Sequence, residues 1–507
     1  MSNRRRFLQA LAALGISQSM PARAQAGRPR FAEDPFQLGV ASGYPRPDGM
    51  VLWTRLLGPL EPAPIEVRWE IAADEAMQRV VASGRAEAHP DWAHSVHAEA
   101  RGLEPDRWYW YRFTAGDAHS PVARTRTAPA ADALPRLRFA FASCQQYEQG
   151  WFTAHRLLAA EDLDLVAFLG DYIYESSWGR DHVRKHDAGE PYTLAQYRAR
   201  YALYKSDPDL QKSHHAFPWI LTWDDHEVDN DYANDRPEDG MPREAFLARR
   251  AAAYRAFYEH QPLPASMRPE GPDMRIYTTL QWGRTAGFHV LDDRQYRDPQ
   301  VCPAKAGGST VVDPSVCTAI ADPSRTMLGA AQEAWLERQL VASGAAWNIL
   351  AQQTLMAQLD RKLGPERQFW TDGWDGYPAA RAKLLRFLNE KRIRNPVVIG
   401  GDVHMHWVAD LKPDFDDKKS PVVASEFCGT SITSQGASQK MVDALMGESP
   451  HMKYGRSDRR GYVRVGISGG RLHAELIGLE TVKKPDSRAE VLARFYVEDG
   501  KPGAQRA

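Results

Sequence analysis

The stretch Leu165-Val166-Ala167-Phe168-Leu169-Gly170-Asp171-Tyr172-Ile173-Tyr174 decides how the rest of the chain is read. Five consecutive apolar residues, too few for a helix, stop at a glycine and an aspartate. A fully buried strand entering a tight turn has this pattern. The pattern recurs. Residues 138–143 run into Cys144, and 219–223 into Asp224-Asp225-His226-Glu227. Residues 288–291 run into Asp292-Asp293-Arg294, and 397–399 into Gly400-Gly401-Asp402-Val403-His404. Helical stretches are expected at 152–161, 243–260, 330–343 and 378–391. Apolar strands between helices predict a larger α/β domain of central β-sheets, covered on both faces and flanked by helices. Ligands bind beyond the carboxyl ends of strands in such sheets. Five strand ends rich in Asp, His, Cys and Tyr are therefore expected to converge on one site.

Upstream, from Phe36 to about Ala131, the rhythm is different. Short strands at 50–55, 65–71 and 108–113 are separated by turn signals such as Pro47-Asp48-Gly49. Residues 65–71 alternate apolar and polar side chains, the period of a half-buried strand. This predicts an antiparallel β-sandwich of about 100 residues. The aromatic run Trp108-Tyr109-Trp110-Tyr111 is expected to be strand core. Thr127-Ala128-Pro129-Ala130-Ala131-Asp132 reads as a linker. The expected division is a leader at 1–26, the β-sandwich at 27–131 and the larger α/β domain at 132–507.

Composition narrows the class. Lys plus Arg is 64 and Asp plus Glu 65, a net charge of −1, without the basic excess of a nucleic-acid binder. Four cysteines in 507 residues exclude a disulfide scaffold. Beyond the N-terminus no apolar run is long enough to span a membrane. The N-terminus itself reads as an address: Arg4-Arg5-Arg6-Phe7-Leu8-Gln9, a short apolar run, then Ala22-Arg23-Ala24 and Ala24-Gln25-Ala26 as cleavage sites. The arginine pair followed by Phe-Leu resembles a twin-arginine export signal, which implies export machinery as a partner and a periplasmic or secreted destination. Its four arginines are uncompensated, so removing it takes the net charge from −1 to −5.

Carboxylates, imidazoles, a thiol and a phenol are all metal ligands. Several carboxylates packed at a strand crest repel one another, and bound cations remove that problem. A two-metal site clamps a phosphoryl group and activates water. Mixed O, N and S donors suit a transition metal, and all-oxygen groups suit Ca²⁺ or Mg²⁺.

Gly170-Asp171-Tyr172-Ile173-Tyr174 resembles the GDxxY motif of purple-acid-phosphatase-like metallophosphoesterases. Asp225-His226-Glu227 stands where those enzymes carry Asn-His-Glu, and Gly401-Asp402-Val403-His404 where they carry Gly-His-x-His. Cys144 stands in place of their first Asp. Together these departures resemble the PhoD-type alkaline phosphatase/phosphodiesterase family, and the ordered motifs cover most of the chain. The resemblance implies one Fe³⁺ with two Ca²⁺. It implies that Cys144, Asp171 and Tyr174 hold iron, and that Asp225, Asp402 and His404 complete the cluster. It also implies that His226 acts as general acid to the leaving group or supports the ligands. Side chains alternate at a strand tip, so one of Asp224 and Asp225 is expected to face the site and the other to face away. Asn230 is a candidate calcium or phosphate contact. Arg294 either binds phosphate through its planar fork or pairs with Asp293.

His406 and Cys428 are expected to be structural. Cys302 and Cys317, in a Pro/Gly-rich loop, are candidates for a disulfide after export, which by chain entropy adds about 3 kcal/mol. The expected function is hydrolysis of phosphomonoesters, with some diester activity, by a monomer with no nucleic-acid partner. The alternatives are a phospholipase-D-like or nuclease-like diesterase and an exported calcium-binding structural or adhesion protein.

Overall fold

The computed structural model describes residues 30–304 and 307–507. The leader at 1–26 lies outside the described residues. Two sheets packed face to face carry the α/β part. The first has ten strands. From one edge they are Lys501–Arg506, Ala489–Glu498, Arg471–Leu479, Gly461–Ser468, Leu137–Ala142, Leu165–Leu169, Pro218–Thr222, Val40–Arg46, Gly49–Arg55 and Ser95–Ala100. The second has seven: Thr278–Trp282, Ala286–Val290, Trp347–Ala351, Pro396–Gly400, Ala424–Cys428, His406–Leu411 and Met452–Arg456.

The expected central sheets flanked by helices are thus two sheets packed on each other, with helices against their outer faces. The reason is that apolar strands buried on both faces can be covered by another sheet as well as by helices. Phe139 and Phe288, from opposite sheets, meet edge to face with centroids 5.1 Å apart. They belong to one core that also takes in Leu158, Tyr197, Tyr201 and Leu210 from the helices behind the first sheet. A second core places Leu336, Leu340, Leu385 and Leu388 against the outer face of the second sheet. Each such buried aliphatic or aromatic side chain contributes about 1.5–3 kcal/mol.

The strands that carry the site are central and parallel. Leu165 pairs with Phe139, and Val166 with Trp219. In the second sheet Ile349 pairs with Val397, and Ile399 with Phe427. Parallel pairing puts the carboxyl ends of these strands on one crest, and facing sheets bring the two crests together.

The N-terminal region is the antiparallel sandwich, with one layer shared. Strands Ile65–Ala72, Val80–Ala88, Trp108–Ala115, Ala118–His119 and Ala123–Arg126 form a sheet of their own. Tyr109, Tyr111 and Phe113 point inward from it onto Val40, Met50, Leu52 and Val96, as the alternation predicts. Those partners lie on Val40–Arg46, Gly49–Arg55 and Ser95–Ala100, which continue the ten-stranded sheet. Ser42 pairs in parallel with Pro218. Trp53 Nε1 donates to the carbonyl of Glu259 at 3.0 Å, and Lys205 Nζ lies 4.2 Å from the Trp53 ring centroid. No helix among the described residues is long and apolar enough to cross a membrane.

Candidate metal centre

The two crests meet in a cavity of about 590 Å³ whose lining includes Asp225, His226, Asp231, Asp402 and His404. A larger groove of about 980 Å³ beside Leu60 and Arg85 of the N-terminal region holds none of the candidate ligands.

The backbone at the crest is unusual. Cys144, Asp171, Asp402 and His404 have φ of 61°, 56°, 62° and 57°, and Asp231 has 53°. Non-glycine residues in the left-handed region cost about 1–3 kcal/mol each and cluster where function requires them. Neighbouring glycines let the turns close. A Cβ on Gly170 would sit 2.5 Å from the Cβ of Asp224, and one on Gly401 would sit 2.2 Å from Ser143 Oγ.

Three carboxylate clamps hold the crest. Glu227 accepts the backbone N–H groups of Asp171 at 3.1 Å, Tyr172 at 2.6 Å and Asp224 at 2.8 Å. It thereby ties the turn after Leu165–Leu169 to the turn after Pro218–Thr222. Burial, partly offset by those bonds, pushes its carboxyl up to about 7. Glu426 accepts Met356 N–H and Ala357 N–H, both at 2.7 Å. Glu175 accepts Nδ1–H of His226 at 2.7 Å.

The donor atoms form overlapping groups. Cys144, Asp171 and His404 are within reach of one ion; Asp171, Asp225 and His226 of another; Asp224, Asp225 and Asp402 of a third; and Asp225, Asp231 and Asp372 of a fourth. Asp171 and Asp225 belong to more than one group, the arrangement bridging carboxylates need. Tyr174 Oη donates to Asp171 Oδ2 at 2.7 Å, lies 3.2 Å from His404 Nε2, and accepts from Ser434 Oγ at 2.8 Å. His404 Nδ1 faces the carbonyl of Gln435 at 2.8 Å. A carbonyl only accepts, so Nδ1 carries the proton and Nε2 offers its lone pair.

Sequence reasoning placed most of these residues together, with corrections. Asp224 and Asp225 both face the cluster, not one inward and one outward. Their strand ends at Thr222, so the two-residue period no longer governs them. Arg294 does not pair with Asp293, both of whose carboxylate oxygens lack partners. It bonds Asp224 and, at 2.6 Å, Asp372, and its Nη2 lies 3.6 Å from Asp225 and 3.9 Å from Asp402. Its Nε and Nη1 are taken by carboxylates, and its buried Nη2, without a hydrogen bond, points toward Asp225 and Asp402. Asn230 lines the cavity, with its amide nitrogen donating to Glu238 at 2.8 Å.

His406 is buried, with Nδ1 accepting Thr430 N–H, and Cys428 is a packed thiol 3.2 Å from the carbonyl of Gly401. Cys302 and Cys317 form a disulfide with Cα atoms 6.2 Å apart. The chain after Arg494 forms edge strands and lines no part of the cavity. The sequence reading missed Glu175, Asp231 and Asp372. Glu175 directly follows the Gly170–Tyr174 motif. Asp231 directly follows the candidate Asn230, and Asp372 follows Phe369–Trp370, a strand too short to read as a strand end.

The electrostatics without ions are those of a strained anion cluster. Burial raises Asp171 and Asp224 well above the usual carboxylate range and pushes Asp402 up to about 7. Burial also opposes the charge on Asp225, but Arg294 and His226 outweigh it and hold that carboxyl low. Burial raises the Cys144 thiol and the Tyr174 phenol. It lowers His404 to about 3, so the imidazole is neutral and available as a ligand.

The residues fit bound cations on a direct observation. Asp171 Oδ1, Asp224 Oδ2 and Asp225 Oδ1 are buried and have no hydrogen-bond partner. Orphaned buried carboxylate oxygens are costly, and ions in the two groups that Asp225 shares with Asp171 and with Asp224 would satisfy them.

A doubly layered α/β crest carrying a thiol, a phenol, an imidazole and a set of carboxylates defines a metal-dependent phosphoesterase. A family model for "PhoD-like phosphatase" matches residues 139–476, and one for the N-terminal domain of that family matches 21–129. The chain belongs to the PhoD-like phosphatase family and is a phosphoric ester hydrolase. It is 43% identical over 528 aligned positions to alkaline phosphatase D of Bacillus subtilis (strain 168), covering 99% of this chain and 89% of that one. The solved structure titled "Structure of PhoD" superposes with a TM-score of 0.89 at 44% identity, covering 94% and 93% of the two chains. Purple acid phosphatase PPD1 from yellow lupin seeds shares the fold, with a TM-score of 0.56 at 12% identity over 91% of this chain and 73% of that one. Family membership sets aside the structural or adhesion alternative.

Proposed function

We propose that the protein is an alkaline phosphatase, exported by the twin-arginine route, that hydrolyses phosphomonoesters and some diesters with one Fe³⁺ and two Ca²⁺. The observation that carries this reading is the graded donor set around Asp171. On one side stand Cys144, Tyr174 and His404, a soft and nitrogen-containing set suited to iron. On the other stand Asp224, Asp225, Asp402, Asp231 and Asp372, all oxygen and suited to calcium.

When bound, the ions supply charge neutralisation for the phosphoryl oxygens and a nucleophile from water. The chain does the rest. Asp171 and Asp225 fix the spacing of the ligand groups. Arg294 offsets part of the carboxylate charge. His226 protonates the departing alkoxide oxygen. Burial works against a charged His226, but Glu175, Asp171 and Asp225 together outweigh it and raise its pKa, so the ring holds the proton that step requires. Glu175 holds Nδ1–H and so leaves Nε2 for the leaving group.

The test is elemental analysis of the active protein with a panel of 4-nitrophenyl phosphate, bis-4-nitrophenyl phosphate and phosphatidylcholine. Iron and calcium at about one to two, with fastest turnover of the monoester, is the expected result. Active protein without iron or calcium overturns the cofactor assignment. Faster turnover of either diester overturns the substrate assignment.

A further inference from the structure

The walls of the site cavity are acidic even beyond the ligand cluster, with Glu190, Asp229, Glu238 and Asp239 among them. Among the described residues that line it, Arg361 is the single lysine or arginine. It lies at the base of the loop leading from Trp347–Ala351 to Phe369–Trp370. That base is stapled: Arg361 N–H donates to the carbonyl of Gln368 at 2.8 Å, and Asp360 accepts N–H from Lys362 and Gln368, both at 3.0 Å. The guanidinium carbon stacks 5.1 Å from the centroid of Trp370, which also lines the cavity.

The neighbouring cations all have partners. Lys362 pairs with Glu366, Arg367 with Asp416 and Asp360, and Arg381 with Asp375. Arg361 makes no ion pair and no side-chain hydrogen bond to any described residue. Asp375 and Asp402 act on it only at a distance, and burial is the larger influence, lowering its pKa. A half-buried guanidinium held by stacking, in the cavity that Asp402 also lines and left without a carboxylate, lacks an anion. Arginine's planar fork matches two oxygens of one phosphoryl group.

We infer that Arg361, which lines the same cavity as Asp225, Asp402 and His404, binds the phosphoryl group of the substrate and sets the preference for monoesters over diesters. A monoester dianion carries three non-ester oxygens and two negative charges, so its phosphoryl group can meet the fork and the ions together. A diester has two such oxygens and one charge, and gains less from the contact. The inference rests on the phosphatase reading above.

The experiment uses full-length, metal-loaded protein and the variants Arg361→Gln and Arg361→Lys. Inorganic phosphate is the binding probe, by calorimetry, and both nitrophenyl esters are the substrates. Arg361→Gln is expected to weaken phosphate binding about tenfold or more, which corresponds to about 1.4 kcal/mol. It is expected to lower kcat/KM for the monoester about 10- to 100-fold and for the diester about threefold or less, with metal content unchanged. Arg361→Lys, which keeps the charge without the fork, falls between. Unchanged phosphate binding, an equal loss on both esters, or loss of metal from Arg361→Gln each overturns the role. If the wild-type protein hydrolyses neither ester, the phosphatase reading fails, and phosphate binding alone then decides for or against Arg361. Absence of phosphate binding by the wild type counts against it.

Discussion

The Glu175 carboxylate lies 2.7 Å from His226 Nδ1, and the His226 ring stacks obliquely on Tyr174 with centroids 4.1 Å apart. The proposed acid is thereby positioned by a residue that also borders the ligand cluster. His226→Ala should lower turnover of an alkyl phosphate about 10²- to 10⁴-fold, the range general acid catalysis supplies. 4-Nitrophenyl phosphate, whose leaving group needs no proton, should lose far less. Glu175→Gln should shift the alkaline limb of the pH–rate profile to lower pH, because the ring loses its counter-charge. Equal losses on the two esters would assign His226 to ligand support instead.

Asp171 sits in two of the ligand groups, so one substitution disables both. Asp171→Asn should abolish turnover and lower the metal content, measured by elemental analysis. Near-normal activity would refute the mechanism. Stripping the ions from the unaltered protein with a chelator should lower its melting temperature, since Asp171, Asp224, Asp225 and Asp402 then confront one another.

Glu227 gathers three backbone N–H groups from two turns. Glu227→Gln replaces an acceptor oxygen by a donor in a fully buried position and leaves at least one N–H unsatisfied. The cost should be about 1–3 kcal/mol, read as a lower denaturant midpoint. Metal content should fall with it, because the two turns carry Asp171 and Asp224.

His155 is buried between Phe168 and Trp219, with centroids 6.1 and 5.8 Å away, and burial lowers its pKa to about 3. Unfolded, it titrates near 6.5. Between those values the unfolded chain binds the proton and the folded chain does not. Stability from this group is therefore full above about pH 6.5 and is lost progressively as pH falls towards 3. The melting temperature should drop between pH 7 and 4, and less steeply in His155→Phe. Equal slopes would show that other groups govern the acid limb.

The disulfide closes a loop with 15 residues of sequence separation, and Ser309 within it bonds Asp231 and accepts from Trp370 Nε1 at 2.9 Å. Cys302→Ser should lose up to about 3 kcal/mol of stability. Wild-type protein assayed with and without a reductant should show the same difference.

Much of this was legible in the sequence. The strand Leu165–Leu169 and the helix Arg243–His260 fall at their expected residues, because an unbroken apolar run and a long helical stretch leave little choice. The ligands that follow such strands were legible for the same reason. The pairing of two sheets was not, since an apolar strand does not say whether a helix or another sheet covers it. Nor were Asp231 and Asp372, which reach the cluster through tertiary contacts of loops. The joint inward facing of Asp224 and Asp225 depends on where the strand stops, and Arg294's choice of Asp224 and Asp372 over Asp293 depends on turn geometry. Periodicity encodes neither.

The parallel pairing of Ser42 with Pro218 has a consequence for cooperativity. The break at Ala131 is a boundary in composition but not in the hydrogen-bond ladder. Cutting the chain there would bare the edge of Pro218–Thr222, the strand whose end carries Asp224 and Asp225. An uncovered apolar edge of that kind recruits other strands and aggregates. The first hundred residues of the folded protein thus act as a permanent edge cap, and they and the metal centre are expected to melt in one transition.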